Sequence, residues 1–142
     1  AGAASLLRLA GLHEVRESLA GTLPYGQQRR LEIARALALR PRVLLLDEPT
    51  AGMTHEESEE IASIVRRLKD AGLTVILVEH NIPFLTSIVD DVVVLDAGRV
   101  ISRGSCAQAL ADPAVIEAYL GKPVAAAAAS GFRAAWTASP SG

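Results

Sequence analysis

This sequence has little cysteine, no long apolar run and no large excess of charge of either sign. Each of these absences disfavours a class of protein. The single cysteine, Cys106, cannot form a disulfide within the chain, which favours a reducing compartment. No apolar run approaches the roughly 20 residues that cross a bilayer. The 14 basic and 16 acidic residues leave a net charge of −2, which argues against a mainly electrostatic grip on nucleic acid.

The hydrophobic residues, by contrast, make up 50% of the chain, which predicts a folded domain rather than a disordered one. Short apolar runs predict strands at 43–46, 74–78 and 91–96, with 100–102 as a hairpin partner of the third. Helical spacing predicts helices at 1–19 with a bend at Gly11, and at 27–39, 56–70, 82–89, 106–111 and 113–120. Strands that are apolar at every position are typical of parallel strands buried on both faces. The alternation of helices and strands therefore indicates an α/β fold with a parallel sheet.

Two adjacent acids, Asp47 and Glu48, follow the apolar run 43–46. Ligands of open α/β sheets bind beyond the carboxyl ends of the strands, and neighbouring side chains of a strand point to opposite sides. Asp47 is therefore a candidate for a Mg²⁺ shell, since Mg²⁺ prefers oxygen ligands, and Glu48 for a general base that polarises water. The alternative is an acid pair that only caps the following turn.

Two further segments have a chemistry that suits phosphate. A turn at 23–27, Leu-Pro-Tyr-Gly-Gln, runs into a predicted helix, and the N–H groups and dipole of a helix start favour an anion. His80 follows the run 74–78 and is expected at the same edge of the sheet as Glu48, where it can hydrogen-bond a phosphate or orient a water. Taken singly, the turn is also explained by helix capping, and the histidine by an ordinary polar position.

The order of these elements, a glycine turn with a helix, an acid-ended strand, an acid-rich helix and a His-ended strand, resembles the ABC-transporter ATPases. In this resemblance 23–27 is the signature loop, 43–48 the Walker B strand, 49–54 the lead into the D-loop, and His80 the switch histidine. The segments 23–36, 74–80 and 115–121 are similar to the subfamily that serves branched-chain amino acid importers.

The resemblance implies a two-subunit sandwich around ATP and Mg²⁺, in which Glu48 and His80 are catalytic and Asp47 holds the metal indirectly. The residues implied to contact ATP are Pro24, Tyr25, Gly26 and Gln27 of the signature loop, acting on the second subunit's nucleotide, and Ala51, Gly52, Met53 and Thr54 of the D-loop. The implied partners are a second ATPase subunit and transmembrane permease subunits at the cytoplasmic face of the cell membrane, with no nucleic acid.

Three positions depart from the pattern of the family. Pro24 stands where a serine is usual and has neither a hydroxyl nor an N–H to offer a phosphate. Tyr25 stands where a glycine is usual, and Thr54 where the D-loop usually has Asp or Asn. The implied contacts of the signature loop therefore depend on Gly26 and Gln27.

The phosphate-binding motif G-x-x-x-x-G-K-[ST] does not occur in the 142 residues, whose only lysines are Lys69 and Lys122. Because the chain also begins with Ala1, we expect it to be the C-terminal part of a P-loop NTPase domain. The predicted organisation is the end of a helical subdomain with the signature helix at 1–40, an α/β core at 41–121 and a low-complexity tail at 122–142. We expect the intact protein to hydrolyse ATP and this chain alone to be inactive.

Two other interpretations remain open at this point. A non-hydrolysing remnant, or a half-domain that depends on a partner, is consistent with the missing phosphate loop. A chromosome-maintenance or DNA-repair ATPase head shares the sandwich arrangement, but such heads carry long coiled-coil insertions and basic DNA-facing patches, neither of which the sequence contains.

Overall fold

The computed structural model describes residues 2–120, with nothing described of the side chain at 120. The chain divides into two compact units, and the boundary between them falls between Ile88 and Val89. The tail predicted at 122–142 lies outside the described residues.

The first unit is built from helices and one pair of parallel strands. Its elements are α1 (Ala3–Leu9), α2 (Tyr25–Ala38), β1 (Val43–Asp47), α3 (His55–Asp70), β2 (Thr74–Val78) and α4 (Ile82–Ile88), with 3-10 turns at His13–Val15 and Ala20–Thr22. Strands β1 and β2 pair in parallel, with Asp47 opposite Val78. The predicted α/β class with parallel strands and flanking helices is confirmed, and the carboxyl ends of both strands lie at one edge of the sheet.

Helix α3 contributes more buried residues to the core of this unit than any other helix or strand described. Its N-cap Thr54 forms a capping box with Glu57, in which each side chain accepts a hydrogen bond from the other residue's backbone N–H. The buried residues of α3 recur at helical spacing and are Ser58, Ile61, Ala62, Ile64, Val65 and Leu68. Such a stripe of apolar residues, rather than intrinsic propensity, stabilises a helix within a protein.

The helix predicted at 1–19 is wrong in its second half. Helix α1 ends at Leu9, and Gly11 adopts a φ of 66°, a left-handed conformation that terminates helices. Leu12 then enters the core with 1% exposure. No residue from 13 to 20 is buried, so a continued helix has no apolar face to stabilise it, and only short 3-10 turns form.

The burial expected on both faces of the strands is observed on one face only. Leu44 of β1 is 4% exposed, whereas Leu45 is 72% exposed and Ile76 of β2 is 52% exposed. Side chains alternate along a strand, and within the described residues the face that carries Leu45 and Ile76 is open. The all-apolar pattern therefore predicted the strands correctly but not their surroundings in this chain.

The second unit begins with an antiparallel hairpin. Its elements are β3 (Val92–Asp96), β4 (Arg99–Gly104), α5 (Cys106–Ala111) and α6 (Pro113–Leu120). Ala97 and Gly98 both have positive φ, 46° and 76°, which is the backbone of a two-residue hairpin turn. Among the residues described, no helix is both long enough and apolar enough to cross a membrane.

Candidate functional site

The turn after β1 begins with Glu48, the predicted general base. Its backbone N–H donates to the carbonyl of Val78 at 2.8 Å, which extends the contact between β1 and β2 by one residue. The φ of Glu48 is 42°, a left-handed conformation that non-glycine residues seldom adopt. The backbone therefore turns away from the direction of β1 at Glu48, at the sheet edge where ligands of α/β sheets bind.

His80 lies beside Glu48, as the sequence predicted. Its Nδ1 is 3.4 Å from Oε1 of Glu48, and the side chains are 70% and 52% exposed. The two groups therefore face solvent at the same edge, within reach of one bound ligand. Asp47 is also exposed, at the end of β1 and on the open face that carries Leu45.

Glu79 is a buried acid between these two turns, to which the sequence analysis gave no role. Its side chain is 1% exposed. It accepts hydrogen bonds from the N–H of Thr50 at 3.3 Å and from the hydroxyl of Thr50, and also from the N–H groups of His80 at 2.8 Å and Asn81 at 3.2 Å. The signal available in the sequence was an acid that directly follows an apolar strand.

Two opposing effects act on the pKa of Glu79. Burial raises it, because a charged carboxylate loses hydration. The hydrogen bonds from Thr50, Asn81 and His80 favour the charged form and together outweigh burial, so the pKa lies below the ordinary value of 4.5. Glu79 is therefore an ionised group held by donors.

The predicted signature loop lies at the start of α2. Pro24 is the N-cap and makes no side-chain capping bond, and Tyr25 and Gly26 lie in the first turn of the helix. The hydroxyl of Tyr25 accepts from Nε of Arg29 at 2.9 Å, so it is engaged within its own helix. Among the described residues, Oε1 of Gln27 is buried without a hydrogen-bond partner.

The predicted D-loop connects β1 to α3, and it lies against the signature turn of the same chain. A Cβ built on Gly26 would be 2.5 Å from Oε1 of Glu57, and a Cβ on Gly52 would be 3.9 Å from the Tyr25 ring. Thr54 uses its hydroxyl to accept from the N–H of Glu57 at 3.2 Å. This hydroxyl is therefore committed to capping α3.

The remaining D-loop residues form tight turns between these two elements. The N–H of Ala51 donates to the carbonyl of Glu48 at 3.1 Å, and the N–H of Met53 donates to the carbonyl of Thr50 at 3.1 Å. The structure thus brings the D-loop close to the signature turn, and Glu48 close to His80.

The donor set for a metal ion at this edge is small. Within residues 2–120 there is no group of three or more His, Cys, Asp or Glu side chains that could hold a metal. Mg²⁺ bound with nucleotide takes most of its ligands from phosphates and water and needs only one or two carboxylates. The exposed Asp47 carboxylate fits such an ion and would not hold a metal by itself.

Comparison with a solved structure defines the class of this fold. A nucleotide-free ATP-binding cassette from an ABC transporter matches the chain with a TM-score of 0.78 at 31% sequence identity, covering 84% of this chain and 49% of that chain. The fold is therefore that of part of an ABC ATPase, a P-loop NTPase.

Sequence comparisons agree and identify the family. A family model described as ABC transporter matches residues 1–51, and one described as Branched-chain amino acid ATP-binding cassette transporter matches residues 99–125. Both matches are to ATP-binding domains of ABC transporters, the family that the order of the sequence motifs resembles.

Two curated relatives illustrate the range of similarity. The high-affinity branched-chain amino acid transport ATP-binding protein BraF of Pseudomonas aeruginosa is 43% identical over 121 residues, which are 84% of this chain and 48% of BraF. The lipopolysaccharide export system ATP-binding protein LptB of Acidithiobacillus ferridurans is 39% identical over 116 residues, which are 82% of this chain and 48% of LptB. This chain thus spans about half the length of these relatives.

The close approach of Gly26 to Glu57 predicts that Gly26→Ala breaks a capping bond of α3. The added methyl group displaces the end of the Glu57 side chain, whose other oxygen accepts from the N–H of Thr54 at 2.9 Å. Because alanine favours a helix more than glycine does, the gain in helix propensity offsets the loss of this bond in the free energy of unfolding. The measurement is therefore hydrogen exchange at the Thr54 amide, which is expected to lose protection in Gly26→Ala. Gly21→Ala is the control, because a Cβ there meets nothing within 4 Å. Equal protection of the Thr54 amide in the two variants would contradict the contact.

The lowered pKa of Glu79 predicts a loss of stability in acid. Its ionised form contributes stability that is fully present above the unfolded pKa of 4.5 and is lost as the pH falls through the lower folded pKa. We expect the free energy of unfolding to fall as the pH drops below 4.5, and the fall to be smaller in Glu79→Gln. Urea titrations at several pH values measure it. Glu59→Gln removes only an exposed ion pair with Arg66, so its free energy of unfolding should fall with pH as in the wild type. An equal fall in all three proteins would refute the prediction.

Proposed function

We propose that this chain is part of the ATP-binding subunit of an ABC importer and that the intact protein couples ATP hydrolysis to amino-acid transport. The observation that carries the proposal is the approach of His80 Nδ1 to within 3.4 Å of Glu48 Oε1, at the carboxyl edge of a parallel strand pair. A base and a phosphate-directed histidine at one edge are the groups that hydrolysis of a terminal phosphate needs.

Glu48 is assigned the general base. As a water oxygen bonds to the γ-phosphorus, Glu48 accepts a proton from that water, and the bond from phosphorus to the bridging oxygen breaks to release ADP. His80 lies beside Glu48 and donates a hydrogen bond from Nε2–H to a phosphate oxygen, which holds the phosphate in line with the water. Both side chains are exposed and can be reached by a nucleotide held by other parts of the protein.

Asp47 would hold Mg²⁺ through its hydration shell. The ion would neutralise charge on the phosphates, and one exposed carboxylate is enough for that arrangement. Asp47 thereby orients the metal relative to Glu48, the next residue of the chain.

The signature turn, residues 24–27, is assigned to the ATP of a second subunit. Helix α2 has 14 residues, and its N-terminal N–H groups and dipole favour a phosphate. Pro24 has no N–H, and the Tyr25 hydroxyl is bonded to Arg29. The proposed contact is therefore made by backbone N–H groups from Gly26 onward. The D-loop, residues 51–54, is proposed to line the same nucleotide.

The implied partners are a second ABC ATPase subunit and transmembrane permease subunits, at the cytoplasmic face of the cell membrane. Branched-chain amino acids are the proposed cargo, supported by the family model over 99–125 and by the similarity to BraF. Similarity to LptB, a protein of lipopolysaccharide export, is only slightly lower, which fits a cargo chosen by other subunits. The proposed organisation keeps 1–40 as the end of the helical subdomain and 41–121 as the α/β core.

The second candidate function is a half-domain that acts only with a partner. The observation in its favour is the open apolar face of β1 and β2, with Leu45 72% exposed. Translating the coding region upstream of Ala1 separates the two candidates. A G-x-x-x-x-G-K-[ST] segment in frame supports the transport ATPase, and a start codon next to Ala1 without one supports the half-domain.

Replacing Glu48 by Gln in the complete product of the coding sequence tests the assigned base. We expect kcat for ATP hydrolysis to fall by about 10²- to 10⁴-fold, with KM for ATP little changed, because the amide keeps the shape but cannot accept a proton. Phosphate release measures the rate, and Glu59→Gln is the control, since Glu59 pairs with Arg66 on an exposed helix face. Wild-type kcat in Glu48→Gln would rule out the assignment.

The 142-residue chain alone is expected to bind ATP weakly and not to hydrolyse it, because it contains no G-x-x-x-x-G-K-[ST] segment to cradle the phosphates. Calorimetric titration with ATP and a phosphate-release assay on the purified chain measure both properties. Turnover that depends on Glu48 would overturn this expectation.

A further inference from the structure

The carboxylate of Glu79 lies between the two turns that carry Glu48 and His80, and the proposed reaction does not use it. Its side chain is 1% exposed, in contrast to the open side chains on either side of it. Burial of a charged group is unfavourable unless hydrogen bonds replace its lost hydration. The donors around Glu79 therefore indicate what this buried charge does.

These donors divide between the two carboxylate oxygens. Oε1 accepts from the N–H and the hydroxyl of Thr50, in the turn after β1. Oε2 accepts from the N–H groups of His80 and Asn81, in the turn after β2. An ionised carboxylate accepts at about four sites and donates at none, so each oxygen holds one turn.

Only a carboxylate on a side chain as long as that of Glu can accept hydrogen bonds from the donors of both turns. A glutamine has one accepting oxygen, and its NH₂ group would face N–H donors whichever way the amide is turned. An aspartate is one methylene shorter and cannot reach both sets of donors from the same backbone position. The choice of Glu at this position is therefore explained by the two turns together.

We propose that Glu79 is a positioning residue that joins the turn of Glu48 to the backbone of His80 and so fixes the spacing of these two side chains for ATP hydrolysis. On the first side it acts through Thr50, since the N–H of Ala51 donates to the Glu48 carbonyl and closes the turn that contains Thr50. On the other side it bonds the His80 N–H directly. This inference rests on the proposed function, because a fixed spacing matters only if both side chains act on one phosphate.

The first test needs no activity and uses NMR on the complete product of the coding sequence. In Glu79→Gln, the amides of Thr50, His80 and Asn81 are expected to lose hydrogen-exchange protection, because at least one set of donors loses its acceptor. In the control Glu59→Gln these amides should keep wild-type protection. Wild-type protection of all three amides in Glu79→Gln would overturn the proposal.

The second test measures the spacing itself through the His80 ring. In the wild-type background, Glu48→Gln is expected to shift the Nδ1 resonance of His80, because the carboxylate lies 3.4 Å away. In the Glu79→Gln background the same substitution should shift it far less, since the two side chains no longer hold their spacing. An equal shift in both backgrounds would refute the positioning role.

The third test measures ATP hydrolysis by the complete product of the coding sequence. Glu79→Gln is expected to lower kcat by about 10²-fold with KM for ATP little changed, as a misplaced catalytic group does. Thr50→Val should lower kcat less, Thr50→Ser should keep it, and the double variant Glu79→Gln/Thr50→Val should be no slower than Glu79→Gln. Deprotected amides together with wild-type kcat would overturn the positioning role.

The failure of this inference can be told apart from failure of the proposed function. If Glu48→Gln retains wild-type hydrolysis, the assigned base is wrong, and the two NMR tests still decide whether Glu79 sets the spacing. If Glu48→Gln is inactive but Glu79→Gln is not, the proposed function stands and the inference fails.

Discussion

The parallel hydrogen-bond ladder between β1 and β2 is the constraint on which the first unit depends. Its register sets Asp47 opposite Val78, and the N–H of Glu48 continues the contact by bonding the Val78 carbonyl. Because both strands run the same way, the residues that follow them meet at one edge although they are far apart in the sequence. Helix α3 makes this direction possible, since parallel strands need a crossover, and its stripe of buried apolar residues holds it in the fold.

Much of this architecture could be predicted from local patterns. The strand predicted at 74–78 is observed as Thr74–Val78, and the helix predicted at 56–70 is observed as His55–Asp70, because apolar runs and a helical stripe each depend on nearby residues. The prediction failed where tertiary surroundings decide. A helix at 13–19 would have had no face to bury, and Leu45 is exposed because burial depends on which elements cover a strand rather than on its own sequence.

The candidate site, too, could be predicted from the sequence only in part. Topology alone placed His80 near Glu48, because strand order fixes which ends meet. The bonds from Thr50 to Glu79 could not be predicted, since they depend on how the turn at Glu48 bends, and its left-handed backbone has no clear signal in the sequence. Turn geometry, not residue chemistry, is thus the part of this site that only a structure supplies.

The narrow clearance between Gly26 and Glu57 has a consequence for how this sequence can change over evolution. One oxygen of Glu57 lies where a side chain at position 26 would be, while the other caps the helix that follows the D-loop. A larger residue at position 26 therefore requires the end of the Glu57 side chain to move, which removes one of the two bonds of the capping box and leaves the bond from the Glu57 N–H to the Thr54 hydroxyl. A change at position 26 thus acts on α3 through position 57, although the two residues lie on different helices.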